Sequence, residues 1–243
     1  MSKSSELDHI KPAEITIMSS EEYKKLELCP FTQKEFILDK KIDPIRFNLQ
    51  KDGREVTLVV VSDAAQLPNE LNKLLWQEFN KIVDEGLTYP HLDNMEYEKF
   101  LDYWFAGHVC VLLEGDFTEI GKFADKDSAF WNDKYLGNNY IKPNYIGRCS
   151  HVCNSGFLVN TNKRGLGLGK ELGRKYLQIA PQIGYVYSVF NLVFETNVAS
   201  LKIWDSLGFE RIGYVKNVAV LKGMDKLVGA HMFGYDFLEA AQK

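Results

Sequence analysis

The stretch TNKRGLGLGKELG, residues 161–173, places four glycines among basic residues directly after the apolar run 156–159. An apolar strand, a glycine-rich turn and a helix in this order favour an α/β fold. The first N–H groups of such a helix lack backbone partners and attract anions, and glycine allows the backbone to approach a ligand closely. The stretch therefore predicts an anion-binding turn on an α/β scaffold.

Three phosphate-binding designs compete for this turn. A dinucleotide fold needs G-x-G-x-x-G, whereas the spacing here is G-x-G-x-G. A P-loop needs Ser or Thr after its Gly-Lys pair, but Lys170 is followed by Glu171. The third design has a basic residue with glycine at alternate following positions, and it fits: Arg164 is followed by Gly165, Gly167 and Gly169.

Hydrophobic periodicity predicts the other elements. Strands are expected at 55–61, 108–115, 135–146, 150–160, 185–195, 209–215 and 230–238, and helices at 68–86, 97–107, 167–184 and 197–208. Residues 116–134 are polar and interrupted, which is typical of a surface loop. Residues 1–54 are expected to be an extension with short elements, and 55–243 the main domain.

A second signature lies in LVFETNVASLKIWDSLGF, residues 192–209. An apolar strand is followed by asparagine, a small residue, an aromatic residue and Gly-Phe at fixed spacing; these are Asn197, Ser200, Trp204, Gly208 and Phe209. Asn197 is also a plausible helix N-cap. Together with Arg164, Gly167 and Gly169, this segment resembles the GNAT superfamily of N-acetyltransferases.

The resemblance implies an α/β (α+β) GNAT fold, a mixed central sheet with splayed parallel strands flanked by helices, and acetyl-CoA as cosubstrate without a metal. The pantetheine arm would pair with the freed backbone of Phe157, Leu158 and Val159. The pyrophosphate would meet Arg164, Gly165, Gly167, Gly169 and Lys170. Asn197, Ser200 and Trp204 would complete the coenzyme site.

Four further motifs resemble a narrower fungal family, which acetylates the ring nitrogen of proline analogues such as azetidine-2-carboxylate or cis-4-hydroxyproline and so detoxifies them. They are TYP (88–90), YIKPNY (140–145), RCSHVCNSGFLVN (148–160) and FNLVFETNVASLKIWD (190–205). The resemblance covers roughly residues 55–237. It implies a homodimer, with Asn154 and Asn191 binding the imino acid or taking part in catalysis.

Other acceptors and roles stay open at this point. The net charge of −4 would suit a cationic acceptor such as a polyamine or a protein amino group, whereas two asparagines suit a small amino-acid-like one. A non-catalytic acyl-CoA sensor is a further alternative. Trp204 favours this alternative. It stands where many GNAT enzymes place a tyrosine that protonates the departing thiolate, and an indole N–H does not give up a proton near neutrality.

No side chain stands out as the general base. His91, His108, His151 and Glu195 are candidates, and a base acting through water would leave no mark in the sequence. Cys149, His151 and Cys153 alternate, so on a strand they would share one face and could ligate zinc. No second pair at metal spacing accompanies them, so we expect packing on the sheet and no metal.

Composition narrows the partners and the compartment. The excess of acidic over basic residues, with a pI near 5.8, disfavours nucleic acid as a binding partner. No apolar run reaches the length of a membrane span, and the first residues resemble neither a secretory signal nor a transit peptide. Four irregularly spaced cysteines do not suggest a disulfide framework. We therefore expect a cytoplasmic protein, with a mitochondrial share left open.

Overall fold

A nine-stranded mixed sheet organises residues 40–241, the part of the chain that the computed structural model describes. The strands follow the order β1-β2-β3-β4-β5-β7-β9-β8, and β6 pairs with β4 beside this path. Their bounds are β1 Ile45–Asn48, β2 Glu55–Val61, β3 His108–Glu114, β4 Tyr135–Pro143, β5 Val152–Asn154, β6 Phe157–Val159, β7 Tyr187–Phe194, β8 Glu210–Ala219 and β9 Val228–Asp236.

Helices cover both faces of this sheet. They are α1 Asn69–Glu85, α2 Tyr97–Trp104, α3 Ser128–Lys134, α4 Leu168–Ile183, α5 Val198–Ser206 and α6 Phe237–Ala240. Phe79 of α1, Trp104 of α2 and Tyr140 of β4 belong to the core on one face. Tyr176 of α4 and Trp204 of α5 belong to the core on the other. No helix within residues 40–241 has the length and apolar character that crossing a membrane requires.

Helix α1 forms as its sequence predicts. Pro68 precedes it, and Gly86 ends it in the left-handed conformation with φ 65°. Its buried stripe recurs at helical spacing and consists of Leu71, Leu74, Leu75, Phe79, Ile82 and Val83.

The sheet splays at its centre. Val152 and Cys153 of β5 pair in parallel with Tyr187 and Ser188 of β7, whereas the following strand β6 pairs only with β4. The pairing with β7 thus ends at Cys153. The expected GNAT architecture, with parallel strands that separate, is confirmed.

Gly156 sits at this divergence and has no room for a side chain. A Cβ there would lie 2.2 Å from the Tyr89 hydroxyl and 2.7 Å from the Tyr140 ring. The run 150–160 that we expected as one strand is therefore two short strands, β5 and β6, joined by an irregular Ser155–Gly156 step.

Two other segments differ from expectation. Residues 116–134 contain helix α3, which Asp127 caps by accepting from the backbone N–H of Phe130. The prediction of a surface loop was wrong because Trp131 is fully buried and packs on Phe117 and Phe130. These aromatic side chains anchor a segment whose average composition is polar.

The sheet also begins before residue 55. Strand β1 pairs antiparallel with β2 from Ile45 to Asn48, and the adjacent Leu49 is buried in the core. These residues fall in the segment that we expected to precede the main domain. Residues 1–39 lie outside the described part of the chain.

Candidate active site

Two glycines shape the turn before α4. Gly165 and Gly167 both have φ 79°, a left-handed conformation that side-chain-bearing residues rarely adopt. Gly167 is the N-cap of α4, so no side chain caps the first turn. A Cβ at either glycine would meet open space. The turn therefore leaves an open approach to the positive end of the helix, which fits a pyrophosphate.

Two basic residues flank the glycines of this turn, Arg164 before them and Lys170 after them. The Arg164 guanidinium donates to both carboxylate oxygens of Glu85, at 2.7 and 2.8 Å, and is half exposed. The backbone N–H of Lys170 bonds to the carbonyl of Gly167 at 3.0 Å. A coenzyme phosphate would thus share Arg164 with Glu85.

Gly169 brings α4 against α5. A Cβ there would lie 3.0 Å from the Ile203 Cδ1 atom. Asn197 caps α5 by accepting from the backbone N–H of Ser200 at 3.2 Å, which confirms the predicted N-cap. The second signature thus starts α5 and seats it beside the glycine turn.

Trp204 is buried in an aromatic cluster between α5 and the splayed strands. Its ring lies 4.8 Å from Phe157, 4.7 Å from Phe190 and 5.3 Å from Phe209, centroid to centroid. Leu158 is buried on the other side of β6, while Phe157 and Val159 are half-buried. The β6 edge that faces β7 pairs with no strand among residues 40–241, so in this part of the chain its backbone is free for an extended ligand.

Asn154 and Asn191 are brought together by a third asparagine, Asn144. The Asn154 amide donates to the Asn144 side-chain oxygen at 3.1 Å, and the Asn144 amide donates to that of Asn191 at 3.2 Å. The Asn191 amide in turn donates to Asn144. We call these three half-buried residues the amide triad.

The backbone fixes two members of the triad. The N–H of Asn144 bonds to the Val152 carbonyl at 2.8 Å, just beyond the end of β4. The Asn154 side-chain oxygen accepts from the N–H of Ser155 at 2.6 Å. Sequence reasoning missed Asn144, although it lies in the YIKPNY motif directly after Pro143, the last residue of β4.

A cluster of aromatic side chains adjoins the triad on the α1–α2 face of the sheet. We call Tyr89, His91, Tyr103 and Tyr140 the tyrosine cluster; the His91 ring lies 5.3 Å from Tyr103 and 6.0 Å from Tyr89. Burial raises the pKa of all three tyrosines, so their hydroxyls stay protonated. Within residues 40–241, the buried Tyr89 hydroxyl and His91 Nδ1 have no hydrogen-bond partner.

Comparison with known proteins assigns the family. The model of the acetyltransferase (GNAT) family matches residues 70–209, more than half of the chain. The chain belongs to the acetyltransferase (GNAT) family. It is an acetyl-CoA-dependent acyltransferase, as the two signatures predicted.

Two sequence relatives agree with this assignment. N-acetyltransferase aca1 of Schizosaccharomyces pombe is 41% identical over 178 residues, which cover 72% of this chain and 85% of the relative. Protein SPT10 of Saccharomyces cerevisiae is 30% identical over 224 residues, and the match covers 78% of this chain but only 35% of that longer protein.

Solved structures share the fold. A GCN5-related N-acetyltransferase from Kribbella flavida is 27% identical, with a TM-score of 0.59 over 74% of this chain and 97% of that one. The acetyltransferase yncA from Salmonella typhimurium, solved with acetyl-CoA, is 14% identical, with a TM-score of 0.57 over 74% and 94% of the two chains.

Of the four candidates for the general base, His91 lies in the tyrosine cluster, on the face of the sheet that adjoins the triad. Burial first, and then the Lys142 charge, lower the pKa of His91, so its imidazole is neutral near pH 7. His108 projects from the same face of β3 as Cys110, which lies in the core on the opposite side of the sheet. Its Nε2 bonds to the Lys40 carbonyl at 2.7 Å. Glu195 accepts from Tyr214 and from the Gly229 N–H. His151 lies in the turn before β5.

Cys149, His151 and Cys153 do not share a face, contrary to our expectation. Cys149 is exposed in a short 3₁₀ turn, and the strand begins only at Val152. The Cys153 thiol is buried 3.0 Å from the Tyr176 hydroxyl, and burial raises its pKa to about 12. Among residues 40–241, no group of three His, Cys, Asp or Glu side chains is arranged to hold a metal ion.

Proposed function

We propose that this acetyltransferase moves the acetyl group of acetyl-CoA to the ring nitrogen of a small cyclic imino acid, such as azetidine-2-carboxylate or cis-4-hydroxyproline. The observation that carries the proposal is the amide triad, which presents side-chain amides at the splay of the sheet beside the tyrosine cluster. Neutral amides and tyrosine hydroxyls suit a compact polar acceptor better than a long polycation.

The coenzyme site is proposed from the glycine turn and the second signature. Gly165, Gly167, Gly169, Lys170 and Arg164 would hold the pyrophosphate, and the backbone of Phe157–Val159 would pair with the pantetheine arm. Asn197 and Ser200 would support this site by starting α5, and Trp204 would pack against the arm. The yncA acetyltransferase shares this fold and was solved with acetyl-CoA as its cofactor, which supports acetyl-CoA as the ligand here.

Bound acetyl-CoA supplies the thioester, and the chain positions the acceptor against it. Asn154 and Asn191 would aim the ring nitrogen lone pair at the thioester carbon, a proximity effect. A backbone N–H of β6 would stabilise the oxyanion, an effect worth about 3 kcal/mol per donor in other enzymes. His91, directly or through water, would accept the proton of the ring nitrogen as the N–C bond forms and the C–S bond breaks.

The cellular role is part of the same proposal. Acetylation would convert the basic ring nitrogen of a proline analogue into a neutral amide, and we propose that this makes the enzyme a detoxifying one that acts in the cytoplasm. The name of the fission yeast relative, N-acetyltransferase aca1, is consistent with an N-acetyl transfer of this kind.

We also propose a homodimer. Strand β8 ends the strand order, and it exposes the large apolar side chains of Ile212, Tyr214, Val215 and Val218. A second copy covering this surface would remove both the apolar patch and an open sheet edge. Light scattering should give twice the 27.9 kDa chain mass, and Val215→Lys should restore the monomer mass. A wild-type mass of one chain would contradict the dimer.

Acetyl-CoA-dependent thiol release tests the reaction. The acceptors are azetidine-2-carboxylate, cis-4-hydroxyproline, proline, lysine, spermine and a peptide. We expect turnover confined to the cyclic imino acids. Turnover with only the other amines would show that the proposed class of acceptor is wrong. Coenzyme A binding without any thiol release would indicate a non-catalytic acyl-CoA sensor.

Matched variants connect the reaction to the site. Asn154→Ala and Asn191→Ala should each remove most turnover while acetyl-CoA still binds. Asn132→Ala is the control, because Asn132 is exposed on α3 and, among the described residues, its amide bonds only to the Ser128 carbonyl. Unchanged kinetics in Asn154→Ala would contradict the proposed role of that residue.

A further inference from the structure

Lys142 occupies an unusual position beside the triad. It lies on β4 directly opposite Asn154 of β5, and directly opposed residues of an antiparallel pair project from the same face. Its ammonium nitrogen lies 3.7 Å from the centre of the Tyr103 ring and 4.2 Å from that of Tyr140. It also donates to the Tyr103 carbonyl at 2.9 Å.

This ammonium group is a half-buried charge. No carboxylate within residues 40–241 forms an ion pair with it, and burial alone lowers the pKa of Lys142 to about 8. Lys163 and Lys175 are also partly buried, but Glu114 and Glu171 respectively oppose the lowering of their pKa values. A buried cation normally has an anionic partner, because its desolvation is otherwise uncompensated.

None of the described groups that face Lys142 carries a negative charge, so its anionic partner could be a bound ligand. His91 is neutral, and the hydroxyls of Tyr89, Tyr103 and Tyr140 stay protonated. These side chains offer hydrogen bonds and ring faces but no negative charge. The unpartnered polar atoms of Tyr89 and His91 belong to the same cluster.

We propose that Lys142 binds the carboxylate of the acceptor, so that the enzyme selects amino or imino acids over amines that lack a carboxyl group. The inference rests on the proposed acetyl transfer at this site and adds the acceptor's second recognition point. The carboxylate would lie between Lys142 and Asn154, which would fix the nitrogen on the neighbouring carbon relative to the coenzyme.

Pairs of acceptors that differ only in the carboxyl group test this inference. The pairs are azetidine-2-carboxylate with azetidine, proline with pyrrolidine, and methionine with 3-(methylthio)propylamine. We expect kcat/KM of the wild-type enzyme to be about 30-fold or more higher for the carboxylate member of each active pair, the usual range for a desolvated charge contact.

Lys142→Met keeps the length of the side chain and removes its charge. It should reduce this preference to within about threefold by lowering only the rate with the carboxylate acceptor. Lys142→Arg should retain the preference, and Lys175→Met is a control for loss of a partly buried lysine elsewhere. A wild-type enzyme without preference, or an unchanged preference in Lys142→Met, would overturn the inference.

The same experiment separates this inference from the proposed function. If only the methionine pair is active and Lys142→Met abolishes its preference, the cyclic acceptor is wrong and the carboxylate contact stands. If no amine is acetylated, calorimetric titration of azetidine-2-carboxylate and azetidine into the coenzyme A complex decides. Equal affinity for the two would overturn the carboxylate contact, and tighter binding of the acid that Lys142→Met abolishes would support it.

Discussion

The two halves of the site are built in different ways. On the proposed coenzyme side, Arg164, the glycine turn and the start of α4 lie within one short segment, and the cap of α5 lies in a second. On the proposed acceptor side, Asn144 directly follows β4, Asn154 is the last residue of β5, and Asn191 lies within β7; Tyr89 lies in the loop after α1. The first half depends on local backbone conformation, and the second depends on sheet topology.

This difference predicts separable defects. A change in the glycine turn should alter the use of acetyl-CoA and leave acceptor recognition intact. A change in the triad should do the reverse, because its hydrogen bonds connect strands rather than the turn. The variants that follow are ordered by the size of the expected effect.

Asn144→Ala should have the largest effect. Asn144 is the member that bonds to both other asparagines, so its loss frees the side chains of Asn154 and Asn191 to rotate. A misplacement of about 1 Å in a positioned acceptor can lower the rate about 100-fold. Steady-state kinetics should show this loss in kcat/KM for the acceptor with an unchanged KM for acetyl-CoA.

Asn132→Ala again serves as the control for loss of an asparagine side chain. A fall in melting temperature together with an equal change in both KM values would show that Asn144 only stabilises the fold. Kinetics equal to wild type would contradict a positioning role.

Gly167→Ala should have the next largest effect, confined to the coenzyme side. Alanine at φ 79° costs about 1–2 kcal/mol, and relief of that strain moves the backbone that would cradle the pyrophosphate. We expect the KM for acetyl-CoA to rise about tenfold, since 1.4 kcal/mol corresponds to that factor. The acceptor KM should not change.

Gly223→Ala is a closely matched control. Gly223 has φ 74°, no heavy atom of residues 40–241 lies within 4 Å of its would-be Cβ, and it sits in the turn between β8 and β9. The same backbone strain should lower stability there and leave the acetyl-CoA KM unchanged. Equal KM values in the two variants would show that Gly167 does not contact the coenzyme.

The same division explains what could be read from the sequence. Gly167, Asn197 and Gly86 were predictable because a left-handed turn or an N-cap is specified by a few adjacent residues. The splayed strands and Asn154 followed only from resemblance to a family. Asn144 was not predicted, since its role exists only once β4, β5 and β7 are adjacent.

Composition misled where a few large side chains outweigh many small polar ones. Helix α3 lies in a segment of mostly polar residues, but its Trp131 is fully buried. Strand β1 is short, and its pairing with β2 decides its structure rather than its own pattern. Lys142 was not singled out from the sequence, because only the strand register places it opposite Asn154.

Arg164→Ala should have a smaller effect than Gly167→Ala. The guanidinium is half exposed and already paired with Glu85. The net free energy gained when it binds a phosphate is therefore only the difference between its interaction with the phosphate and its interaction with Glu85. We expect the KM for acetyl-CoA to rise about fivefold, less at high salt because exposed charges are screened. Glu85→Gln should lower that KM, since it frees the guanidinium for the phosphate. A higher KM in Glu85→Gln would indicate that Glu85 positions Arg164 rather than competing for it.

Trp204→Phe should change turnover least. Trp204 packs among Phe157, Phe190 and Phe209, and an indole N–H is not a proton donor for a departing thiolate near neutrality. We expect kcat to stay within about twofold, while the smaller ring lowers the free energy of unfolding by about 1–3 kcal/mol, a typical cost for a cavity. Calorimetry and thiol-release kinetics on the same sample measure both effects. A large fall in kcat with an unchanged melting temperature would instead place the indole N–H on the sulfur, and the coenzyme side would then contribute to the chemistry as well as to binding.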